Sequence, residues 1–140
     1  MDPYQDLVSA LAAMRRDQGG SSDERVATAA LFVARVHYEL TLLVRALERE
    51  DFPACAFEDV CSVVLRHQGA SVSVARFHAQ HEVRVTFVGF DARAVPPAER
   101  EQRFEVPLMT SEECAAKAVG FVAAVGELLR REQALRSGSR

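Results

Sequence analysis

The sequence predicts an α+β domain: two or three N-terminal helices, then a three-stranded antiparallel sheet, then a long C-terminal helix packed on it. Three observations carry this. Before residue 70 and after residue 110, apolar residues recur in steps of three and four. Between these stretches the period drops to two, with Val83, Val85 and Phe87 alternating with Arg84 and Thr86. Helices gathered at one end with strands following them point to α+β rather than to a wound parallel sheet. The chain has 140 residues, 49% hydrophobic and 26% charged, which suits one globular domain. That domain is expected over residues 1–136, with a helical half (1–69), a sheet-plus-helix half (70–136) and a disordered tail at 137–140.

The first helix opens on Asp2 as cap and Pro3 at the first helical position. Tyr4, Leu7, Val8, Leu11 and Met14 fall on one face, and Gln18-Gly19-Gly20 ends the helix. Ser21 and Glu24 have capping-box spacing for a second helix reaching about Glu50. Its seam is Val26, Ala30, Val33, His37, Leu40, Val44 and Leu47, while Leu31, Ala34, Leu42 and Leu43 widen the apolar surface. A helix of that length is about 45 Å long, more than a small domain's diameter, so a projecting end or a break is expected. Phe52-Pro53 marks a boundary. A short third helix is expected over 54–68, with Phe57, Cys61, Val64 and Leu65 inward. Its rival is a strand at 62–67 turning at Gln68-Gly69, which β-branched Val63 and Val64 permit.

Val72 and Val74 open the strand region, and the odd-numbered Phe77 suggests a bulge near Ala75-Arg76. Residues 91–102 read as a polar loop. Phe104, Val106 and Leu108 make a third strand, placed at an edge by Pro107. Thr110 and Glu113 form a second capping-box spacing, starting a helix that runs to about Leu135. Its seam is Cys114, Ala118, Phe121, Val125, Leu128 and Leu135, interrupted by Glu132. Small residues crowd this helix, Gly120 and Gly126 among them, and mark a surface for close packing.

Composition narrows the function classes. One lysine stands against 16 arginines, and Ile, Asn and Trp are absent, a bias of GC-rich coding. The arginines are interspersed with acids and the net charge is −3, which argues against a nucleic-acid surface. No uninterrupted apolar run has the length of a membrane span, and no secretory leader opens the chain. Three cysteines without a leader fit reduced thiols in the cytoplasm.

Catalytic and metal signals are thin. His78 and His81 flank the expected hairpin turn without further ligands nearby in sequence. Cys114 sits in a helix's first turn, where a thiol can be activated, but beside Glu112 and Glu113. His37 lies in an apolar seam. No catalytic residue, cofactor or metal is therefore assigned. The expected function is a small non-enzymatic adaptor or assembly subunit. Its partner is a protein or its own copy, and it associates through Val33, His37, Leu40, Val44, Leu47, Phe121, Val125 and Leu128. The alternatives are a chaperone-like client binder and a ligand-binding or enzymatic module in the sheet–helix cleft with His78, His81 or Arg84 at its mouth.

Overall fold

A computed structural model describes residues 2–13, 22–58, 62–76, 82–106 and 108–137. Helices α1 (Pro3–Ala13) and α2 (Ser22–Glu48) precede five strands: β1 (Cys55–Glu58), β2 (Ser62–His67), β3 (Ala70–Arg76), β4 (Glu82–Val88) and β5 (Glu101–Glu105). Helix α3 (Ser111–Ser137) closes the chain. The strands form one antiparallel meander in the order β1-β2-β3-β4-β5. The α+β class stands, with five strands in place of three.

The helix expected over 54–68 gives way to a hairpin. Val63, Leu65 and His67 alternate inward and are buried, while Ser62, Val64 and Arg66 face the other way. A buried histidine hides this alternation from a hydrophobicity pattern. His67 stacks on Phe52 at 3.7 Å between ring centroids and bonds the Pro53 carbonyl through Nδ1. A carbonyl only accepts, so Nδ1 carries the proton. The two-residue turn Gln68-Gly69 places Gln68 at φ 52, the positive angle that tight hairpin turns need at their first central residue. The strand pairing leaves no bulge at Ala75-Arg76, because β3 and β4 step evenly from Ser71↔Val88 to Arg76↔Val83. Phe77, His78 and His81 lie outside the described residues, as do Cys61, Pro107 and the Gly19-Gly20 stop. Strand β5 does lie at an edge, but it begins at Glu101 inside the expected loop and ends before Val106.

One face of the sheet is buried. Val63 and Leu65, Ala70, Val72 and Val74, and Val83, Val85 and Phe87 join the core. The helices supply the other half of it. Tyr4 of α1 meets Phe87 edge-on at 5.8 Å, and Phe32 of α2 meets Phe121 of α3 at 6.4 Å. Helix α2 touches β1, β2 and β3, whereas α3 packs mainly on α1 and α2. The opposite sheet face stays open, with Phe57 and Val88 exposed and Arg84 paired to Glu82 and Glu101.

Local signals set the helix ends. Asp2 Oδ1 accepts from the Tyr4 backbone N–H at 3.0 Å. Thr110 and Glu113 form a reciprocal capping box, the Glu113 N–H donating to Thr110 Oγ1 at 3.2 Å and the Thr110 N–H to Glu113 Oε1 at 3.1 Å. Helix α2 runs unbroken for 27 residues. By length and composition it could cross a membrane over Asp23–Glu48, although its inner face packs inside this domain. Gly126 lies against Leu43 of α2, as close packing requires, whereas Gly120 faces open space.

Glu132 does not interrupt the α3 seam. It is buried at 1% exposure and closes the end of the sheet. Both its carboxylate oxygens accept from the Asp91 backbone N–H, at 2.7 and 3.0 Å. Arg136, one turn later, donates Nε to Glu132 at 3.2 Å and NH2 to the Gly89 carbonyl at 2.6 Å. Gly89 takes φ +78, and a Cβ there would lie 1.9 Å from the Gly69 carbonyl oxygen. The turn after β4 thus passes against the β2–β3 hairpin, and the Glu132–Arg136 pair holds it there.

Candidate functional site

The residues expected to form an interface fall mostly inside the domain. Val33, Leu40, Leu47, Phe121, Val125 and Leu128 belong to the buried core, and Val44 packs partly against it. His37 is half-buried and bridges α2 to β1, its Nε2 lying 3.2 Å from Glu58 Oε2. The inner arc of α2 is centred on Ala29, Phe32, Val36 and Leu40, so the expected seam was one shoulder of that arc.

The outer face of α2 is also apolar. Leu31, Tyr38 and Leu42 are exposed at 44%, 52% and 39%. With exposed Ala27 and Ala34 they follow steps of four, three, four and four along one stripe. Glu24 and Arg45 extend it at either end, both exposed. The Arg35 guanidinium lies 5.0 Å over the Tyr38 ring and pairs with Glu39 at 3.3 Å, so a charged rim borders the stripe at mid-length. Leu31 and Leu42 were visible in sequence as apolar surplus, but periodicity alone does not say which of two apolar faces turns inward.

Chemistry-bearing side chains do not converge elsewhere among the described residues. No group of three or more His, Cys, Asp or Glu side chains is placed to hold a metal ion. Cys114 is buried, and burial pushes its thiol above the ordinary range, with the Glu113 charge adding to this. Such a thiol is a packing group rather than an activated nucleophile. Burial, and secondarily the Glu99 charge, raises the Tyr4 phenol, which donates to the Glu99 carbonyl at 3.0 Å and accepts from Gln102 at 2.9 Å. This is a structural tie between α1 and the β4–β5 connection. A hollow of about 400 Å³ between Pro3 and the end of α3 is lined by Glu127, Arg130 and Arg131. Arg130 is occupied there by Glu50 and Glu127, at 3.0 and 2.9 Å. In the expected sheet–helix cleft, Phe87 and Phe90 are buried and meet edge-on at 6.0 Å.

No family model matches the chain, and neither a curated protein nor a solved structure matches it.

Proposed function

We propose that this protein is a non-enzymatic interaction or assembly subunit that docks a protein partner through the outer stripe of α2, and that it works in the cytoplasm. The observation that carries this reading is the alignment of Leu31, Tyr38 and Leu42 on one exposed helix face whose opposite face is already satisfied by the core. Isolated exposed apolar residues are ordinary, but an aligned set rimmed by charge marks an association surface. Covering Leu31 and Leu42, each already partly shielded, would contribute about 1 kcal/mol apiece. The compartment is supported by two free thiols, exposed Cys55 and buried Cys114.

Gel filtration of extract from the native host tests this reading. The chain should elute well above its 15.4 kDa mass. A variant carrying Leu31→Glu and Leu42→Glu should elute at the monomer position with unchanged helix content. Coincident elution of the two proteins would refute the proposal.

A further inference from the structure

We draw no further inference here: the strongest candidate, the outer edge of β1 beside a hollow of about 390 Å³ lined by Thr41, Val44 and Arg45 of α2 and by Ala54 and Ala56, carries nothing, because nothing in the structure shows what covers it.

Discussion

Replacing Glu132 with alanine should destabilise this domain by about 3 kcal/mol, chiefly because a covered backbone N–H loses its acceptor and a void is left, since the exposed Arg136 can be solvated. The size follows from what the carboxylate holds. Its oxygens take the Asp91 backbone N–H at 2.7 and 3.0 Å, and Arg136 Nε lies 3.2 Å away. Without it, the Asp91 N–H loses its acceptor at a cost of about 1–3 kcal/mol. The 39%-exposed Arg136 side chain loses its counter-charge, and its bond to the Gly89 carbonyl loses its anchor. Alanine also leaves a void beside a fully covered position. Glutamine keeps the shape and one acceptor oxygen but loses the charge, so Glu132→Gln should cost about 1–2 kcal/mol. Urea unfolding read by circular dichroism measures both. A domain of ~140 residues should also lose about 10 °C or more in Tm for the alanine variant. A Glu132→Ala variant within about 1 kcal/mol of wild type would show that Glu132 is not the anchor of the β4 exit.

The glycines of α3 and the β4 exit should respond in opposite directions. Gly89→Ala meets both φ +78 and the Gly69 carbonyl oxygen at 1.9 Å, and should cost about 3 kcal/mol or more, whereas Gly120→Ala, with nothing within 4 Å, should gain about 0.5–1 kcal/mol in the same assay. Bonds from the Arg93 side chain and backbone N–H hold the Asp91 carboxyl at about 2. Because this pKa is depressed on folding, its stabilisation is complete above the unfolded value of about 4 and fades as pH falls toward 2. Asp91→Asn should therefore flatten the stability profile of urea unfolding across that acid window, and an unchanged acid slope would contradict the assignment. With Cys61 replaced by serine, one thiol should react quickly with a disulfide reagent in the native state and map to Cys55, while Cys114 should react only on unfolding. Rapid native labelling of Cys114 would contradict its burial.

Much of this architecture was legible in the sequence because local chemistry and burial agree there. The Thr110–Glu113 capping box, Pro3 behind Asp2, and the alternation of Val83, Val85 and Phe87 each name their element without tertiary help. The β1–β2 hairpin was not legible for a physical reason. Its inward row ends in His67, whose ring stacks on Phe52 and whose Nδ1 meets the Pro53 carbonyl, partners that the fold alone brings near. Glu132 was hidden likewise. An acid in an apolar seam reads as an interruption until its receptor, a backbone N–H 41 positions away, is known. The only local hint is Arg136 one turn further on. The proposed association surface was half legible. Both faces of α2 are apolar, and the stronger pattern, through Val33, Leu40 and Leu47, belongs to the core. The weaker pattern, through Leu31, Tyr38 and Leu42, is the one left open.

Site-directed photo-cross-linking in the native host tests the α2 stripe most directly. A benzophenone side chain at position 38 should yield a discrete protein adduct, the same probe at exposed Arg131 on α3 should not, and Leu31→Glu should abolish the product. Equal or absent labelling at the two positions would contradict the claim that this protein works by docking through the outer face of α2.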